Sequence, residues 1–155
     1  MRILLQRVKR ASVTIDGKVN GSIDHGLLAF VGFCEGDREE YILPMAQKMA
    51  GLRIFEDENE KMNLSVGDVD GNILVVSQFT LYADCSHGRR PSFTGALKPD
   101  IAQGYYNTFV QTLGEITGRK IQTGIFGADM KVELLNDGPV TVMLDSCDII
   151  KNTNS

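Results

Sequence analysis

The chain has no tryptophan, only two histidines, four prolines and three cysteines in 155 residues. Cys34, Cys85 and Cys147 are odd in number and none stands in a CxxC pair. Neither a disulfide framework nor a zinc knuckle is therefore indicated, and a reducing cytoplasm fits best. No uninterrupted apolar stretch approaches the roughly 18 residues of a membrane span, and Arg2 and Arg7 put charge where a signal peptide needs apolar residues. The expectation is a soluble, cytoplasmic protein with no membrane partner. Positive charge is also short: 16 Lys and Arg against 20 Asp and Glu leave a net charge of −4. That disfavours non-specific coating of nucleic acid, which is driven by phosphate neutralisation, but leaves room for a small basic site. The acidic run at residues 56–61 lacks the glycine and the ligand spacing of a calcium loop, so neither a metal nor a cofactor is expected.

What is present is a run of strand and helix patterns long enough for one domain over residues 1–155 with its own core. Residues 2–8 and 11–15 read as short strands, and Asp16-Gly17 as a hairpin turn into a strand at 19–23. Residues 27–33 form a near-continuous apolar run that predicts a strand buried on both faces. From Asp37, as N-cap, Tyr41, Met45, Met49 and Leu52 step at helical spacing, and Pro44 predicts that this helix kinks there or begins properly only near it. Residues 53–55 read as a short strand and 73–81 as the strongest one, turning polar at its end. A long loop at 84–98 precedes a helix from Pro99 to about Leu113. Residues 130–134 alternate as a strand, 136–139 turn, and 140–144 return. The fold class is α/β, a mixed, curled β-sheet with two main helices packed on one face.

For chemistry, Ser77-Gln78-Phe79-Thr80 places hydroxyls, an amide and backbone N–H groups at a strand end. Thr80 as a nucleophile needs an adjacent base. The histidines, His25 and His87, offer no Ser-His-Asp arrangement, and Gly-x-Ser-x-Gly is absent. What the segment can supply is a donor pocket for an oxyanion, a contribution of roughly 3 to 4 kcal/mol per donor in other enzymes. The bland alternative is that these groups only satisfy strand-end hydrogen bonds. Gly138-Pro139 is likewise most simply a trans proline turn, and Arg89 and Arg90 are most simply solvated surface.

The resemblance becomes specific when these segments are taken together. Ser77-Gln78-Phe79-Thr80-Leu81-Tyr82-Ala83-Asp84, Gly88-Arg89-Arg90-Pro91-Ser92-Phe93, Thr123-Gly124-Ile125-Phe126-Gly127-Ala128-Asp129-Met130 and Asn136-Asp137-Gly138-Pro139-Val140-Thr141 resemble, in order, the signature of D-aminoacyl-tRNA deacylases. The openings Met1-Arg2-Ile3-Leu4-Leu5-Gln6-Arg7-Val8 and Leu52-Arg53-Ile54-Phe55 are similar as well, so nearly the whole chain is covered. The resemblance implies a barrel-like fold and a cofactor-free homodimer. This dimer hydrolyses the ester between a D-amino acid, or glycine, and the terminal adenosine of tRNA. It implies that Ser77, Gln78, Phe79 and Thr80 form the reaction site. Thr80 is either a nucleophile or a bystander to water assisted by the substrate's ribose hydroxyl, and the shortage of bases favours the second. Gly138 and Pro139, joined by a cis bond, would reach into the partner's pocket and exclude L side chains. Arg7 would brace that dipeptide, with Ala102, Phe126 and Met130 in the substrate pocket, and Arg89 and Arg90 would contact the acceptor end. His87 and Pro44 depart from the pattern, and neither touches the reaction motifs. The rival classes are a dimeric nucleotide-binding module without turnover and a hydrolase of small esters or peptides.

Overall fold

The first strand, β1 (Arg2–Ile15), organises the molecule because both of its edges are paired. The computed structural model describes residues 1–150. Along one edge, the first half of β1 pairs antiparallel with β3 (Gly26–Gly32) and the second half with β2 (Lys18–Ile23). The two strands expected at 2–8 and 11–15 are thus one, with register shifts around Val8 on its other edge. Those shifts reverse which face the side chains take: Ile3 and Leu5 enter one core, whereas Val8, Ala11 and Val13 enter another. Asp16 and Gly17 adopt positive φ of 50° and 77°, the tight hairpin turn that this dipeptide predicts.

β3 runs parallel to β6 (Asn72–Ser77), and β6 parallel to β7 (Gln122–Thr123). The far edge then curls back onto β2, where the Asn20 side-chain amide donates to the Thr123 carbonyl at 2.7 Å. Gly21 permits that approach, since a Cβ there would stand 2.7 Å from the Thr123 oxygen. The result is an α/β fold with a nearly closed, barrel-like sheet. β3 and β6 are covered on both faces, which accounts for their continuous apolar runs. Leu27, Ala29, Val31, Ile73 and Val75 face the helices, while Leu28, Leu74 and Val76 fill the inside of the curl.

α1 (Ile42–Gly51) buries Ile42, Met45, Ala46 and Met49, and α2 (Pro99–Thr117) buries Ala102, Tyr106, Phe109 and Leu113, each set at helical spacing. α2 begins on Pro99 and ends at Gly118, whose φ of 67° closes the last turn. The Tyr106 hydroxyl donates to the Val75 carbonyl at 2.8 Å, and burial pushes the phenol up to about 12.

Several elements differ from the sequence expectation. The first helix opens at Ile42, after a 3₁₀ turn at Glu39–Tyr41, and Asp37 is not its cap. The Asp37 carboxylate is taken elsewhere: one oxygen accepts from the Met1 ammonium at 2.6 Å and the other from the Cys34 N–H at 2.8 Å. Pro44 falls in the first helical turn, where N–H groups have no intrahelical partner, so it costs no hydrogen bond. The short strand expected at 53–55 is shifted to β4 (Phe55–Glu56), which forms a hairpin with β5 (Met62–Leu64). The acidic run is its loop, closed by Asp57 accepting from the N–H groups of Asn59 and Lys61 at 2.8 and 3.1 Å.

The largest difference is at the C-terminal end, where the expected strand, turn and returning strand form one strand, β8 (Lys131–Asp145), antiparallel to β1 on either side of residues 137–140. Gln6 pairs with Thr141 and Val8 with Asn136, so Arg7 alone faces residues 137–140, which are pushed out of the ladder. The Asn136 side chain spans the gap. Its Oδ1 accepts from the Val140 N–H at 2.8 Å and its Nδ2 donates to the Val140 carbonyl at 3.1 Å. A side-chain amide thus replaces a ladder rung, and the strand continues instead of reversing.

Candidate active site

β6 ends at Ser77, and the Gln78 N–H makes the last ladder bond, to the Val31 carbonyl at 2.8 Å. The chain then coils into a 3₁₀ turn, Phe79–Tyr82, where the sequence pattern predicts strand to residue 81. Gly32 makes room for this turn: a Cβ there would lie 2.6 Å from the Gln78 carbonyl and 3.2 Å from the Leu81 Cβ. The first hydrogen bond of the turn is Leu81 N–H to the Gln78 carbonyl at 3.3 Å. The N–H groups of Phe79 and Thr80 precede it, so the turn itself leaves them unused.

Arg2 braces the turn from below. Its guanidinium donates to the Leu81 carbonyl at 2.8 Å and to Asp145 at 2.9 Å, and stands 4.6 Å over the Tyr82 ring. Partial burial opposes ionisation of Asp145, yet Arg2 and the Cys147 N–H hold its carboxyl below the usual carboxylate range. A depressed folded pKa stabilises fully above the unfolded value of about 3.9 and ceases to do so as pH falls through the folded value. Asp145→Asn is therefore expected to lower the urea midpoint at about pH 6 and to lower it by a smaller margin at about pH 3, where the unfolded carboxyl is already largely protonated. A deficit of equal size at both values in denaturation curves would show that the charge contributes nothing.

Beside the turn opens a cleft of about 660 Å³. Ser77, Gln78 and Phe79 line one side, Ala102 another, and Phe126 and Met130 a third. Six residues singled out from the sequence, drawn from three distant segments, are therefore brought together. Phe79 and Phe93 meet edge to face at its mouth, with ring centroids 5.1 Å apart, and both rings are exposed. Thr80 lies just outside the lining, and its hydroxyl accepts the Gln78 side-chain amide at 2.5 Å. Neither histidine reaches the cleft. His25 packs edge-on against Phe55 at 5.4 Å, and His87 shares a contact with Ser86 at 2.7 Å in the exposed loop. The carboxylates on the rim are Glu35 and Asp129, and Lys131 holds the latter at 3.0 Å.

Other expected site residues lie elsewhere. Arg89 and Arg90 are exposed on a loop pinched shut by the paired backbones of Asp84 and Ser92, and Phe93, Thr94, Ala96 and Leu97 just beyond it do line the cleft. The Gly138-Pro139 peptide is cis, both residues are exposed, and neither lines the cleft of its own chain. Arg7 does not line it either. It is buried, donating to the carbonyls of Asp137 and Ile54 at 2.8 Å each. Arg7 pairs with Leu27 at the level of Ile73, whereas Ser77 pairs with Val31. That separates dipeptide and donor turn by four residues of strand, roughly 13 Å. Arg2, Phe93 and Asn136 stand within the family motifs with no role assigned from sequence, and Gly32 and Asp145 stand outside them. Of the latter two, Gly32 alone had a local signal, a glycine ending an otherwise apolar strand.

The comparisons place this geometry. The family model described as D-Tyr-tRNA(Tyr) deacylase matches residues 4–145. A D-aminoacyl-tRNA deacylase of Halothermothrix orenii is 57% identical over 146 residues, 94% of this chain and 97% of that protein. One from Flavobacterium johnsoniae is 55% identical over the same shares. Among solved structures, one named c-Myc DNA Unwinding Element Binding Protein superimposes with a TM-score of 0.88 at 39% identity, covering 94% of this chain and 98% of that one. A second, described as a probable eukaryotic D-amino acid tRNA deacylase, shares the fold with a TM-score of 0.80 at 16% identity, over 92% of this chain and 97% of that one. With a family model matched over residues 4–145 and relatives 55–57% identical over 94% of its length, the chain belongs to the D-aminoacyl-tRNA deacylase family of hydrolases.

Proposed function

We propose that the cleft hydrolyses the ester of D-aminoacyl-tRNA, and that of glycyl-tRNA, releasing free amino acid and tRNA as a cytoplasmic proofreading step in translation. Water attacks the ester carbonyl, the carbonyl oxygen becomes an oxyanion facing the Phe79 and Thr80 N–H groups, and collapse breaks the acyl–oxygen bond while the ribose oxygen gains a proton. The terminal adenosine occupies the side formed by Ala102, Phe126 and Met130, and Arg89 and Arg90 meet phosphates of the acceptor end. Thr80 is not the nucleophile in this reading: its hydroxyl is engaged by Gln78, and among the described residues no histidine or carboxylate is hydrogen-bonded to it. Its role is to hold the Gln78 amide.

The wall that excludes L side chains comes from a second copy of the chain. The observation that carries this is the distance between the cleft and the Gly138-Pro139 pair of the same chain, which leaves the cleft without that wall unless another subunit supplies it. The outer edge of β8 supports a second copy there. Among the described residues β8 pairs only with β1, and Leu135 and Met143 on it are 47% and 48% exposed. Selectivity then arises from collision with main-chain atoms, which cannot rotate aside.

The direct test is to incubate the protein with D-tyrosyl-tRNA and L-tyrosyl-tRNA and follow release of each amino acid. Loss of the D ester alone is expected. Binding without turnover would instead favour a nucleotide-binding module, and turnover of free small esters at equal efficiency would favour a general esterase. Thr80→Val is expected to keep at least about a tenth of the wild-type rate, since a positioning contact of this kind is worth about 1 kcal/mol. Complete loss with an unchanged circular dichroism spectrum would restore Thr80 as the nucleophile.

A further inference from the structure

A second groove, of about 380 Å³, adjoins the cleft. One wall is α2, which presents Gln103, Asn107 and Gln111 at i, i+4 and i+8, a single stripe of carboxamides. The other wall is formed by Thr123, Gly124, Ile125 and Phe126, with Tyr106 and Val110 between. Phe126 lines both spaces, and Gln103 directly follows the cleft residue Ala102, so the two are neighbours. Gln111 is engaged with Glu115 at 3.2 Å, but the exposed amides of Gln103 and Asn107 have no partner among the described residues. Among the described residues, none that lines the groove is charged.

We infer that this groove receives the nucleobase of the penultimate nucleotide of the acceptor end, a reading that rests on the deacylase function proposed above. An uncharged groove does not select phosphate. Carboxamides offer a donor and an acceptor side by side, which suits the edge of a base, and the Phe126 ring offers an apolar surface to its face. From Ala102 to Asn107 is about 7 to 8 Å along the helix axis, within the reach of one nucleotide from a terminal adenosine held at Ala102. The cleft accordingly binds the last nucleotide, and the groove the one before it.

The test compares D-tyrosyl-adenosine with D-tyrosyl-tRNA as substrates of wild type and of a Gln103→Ala, Asn107→Ala double variant. Both positions are exposed and alanine favours helix, so the fold is kept. The double variant is expected to raise KM for D-tyrosyl-tRNA about tenfold with kcat unchanged, and to leave D-tyrosyl-adenosine unaffected. An abasic penultimate nucleotide should raise the wild-type KM similarly and add nothing in the double variant. Turnover of both esters with KM unmoved, or moved equally for both, overturns the groove alone. No turnover of either ester by wild type overturns the deacylase function and the groove with it.

Discussion

Gly138→Ala is expected to lower the preference for D- over L-tyrosyl-tRNA by about 100-fold, or about 2.7 kcal/mol at 1.36 kcal/mol per factor of ten. Gly138 has φ of 148°, a conformation L side chains rarely adopt. A Cβ there would stand 2.7 Å from a Val140 methyl, 2.9 Å from the Val140 nitrogen and 3.3 Å from the Arg7 guanidinium. The neighbours are not free to yield. The Val140 N–H is held by Asn136 at 2.8 Å, and Arg7 by the Asp137 carbonyl at the same distance. The dipeptide itself must therefore move. A displacement of about 1 Å in a positioned group costs on the order of 100-fold in other active sites, and a steric barrier is at least as sensitive. The measurement is kcat/KM for each ester at equal enzyme concentration. The selectivity should fall because L-ester hydrolysis rises. A fall in both rates with the ratio intact would mean that the dipeptide does not discriminate.

The second large effect is expected at Arg7. This guanidinium is 5% exposed and bonded to two backbone carbonyls, those of Asp137 and Ile54. Its ion pairs with Glu56 and Asp137 are long, at 3.9 and 3.8 Å, and add little. Arg7→Met fills the space but leaves both carbonyls without their donor, at about 1 to 2 kcal/mol each. The total of about 3 kcal/mol should lower Tm by roughly 6 to 12 °C for a domain of this size. Because one of those carbonyls belongs to the residue before Gly138, discrimination should fall as well. Arg7→Lys should recover only part of either loss, since an ammonium cannot reproduce the planar fork that reaches two carbonyls. Calorimetry with the paired ester assay reads both effects, and a Tm within about 2 °C of wild type would remove Arg7 from the account.

Much of this architecture was legible because it follows from periodicity. The continuous apolar residues of β3 and β6 require cover on both faces, the stripes of α1 and α2 provide part of it, and Asp16-Gly17 permits one kind of turn. Missed features depend on contacts between distant residues. Asn136-Asp137-Gly138-Pro139 has the composition of a turn, and only the pairing of the Asn136 amide with Val140 keeps the strand running through it. Residues 79–81 have strand-like side chains, yet β3 ends at Gly32 and offers no further partner, so the chain coils onto that glycine. Asp37 precedes a helix and resembles a cap, but the Met1 ammonium claims it. The site residues themselves were recognisable as motifs. Their division between the cleft and a ridge some distance away was not, because it depends on register across β1, β3 and β6.

A mixed dimer tests most directly whether the wall is supplied by the other subunit. Gly32→Ala displaces the reaction turn, because its Cβ would stand 2.6 Å from the Gln78 carbonyl, and should leave about a hundredth of the activity, whereas Gly138→Ala should leave activity without discrimination. Each variant is given a different affinity tag, the two are co-expressed, and the doubly tagged species is assayed on D- and L-tyrosyl-tRNA. In that species one cleft combines an intact turn with the intact dipeptide of its partner, so hydrolysis selective for the D ester should reappear. A mixed species as indiscriminate as the Gly138→Ala parent, or a chain that stays monomeric while rejecting the L ester, would contradict the account.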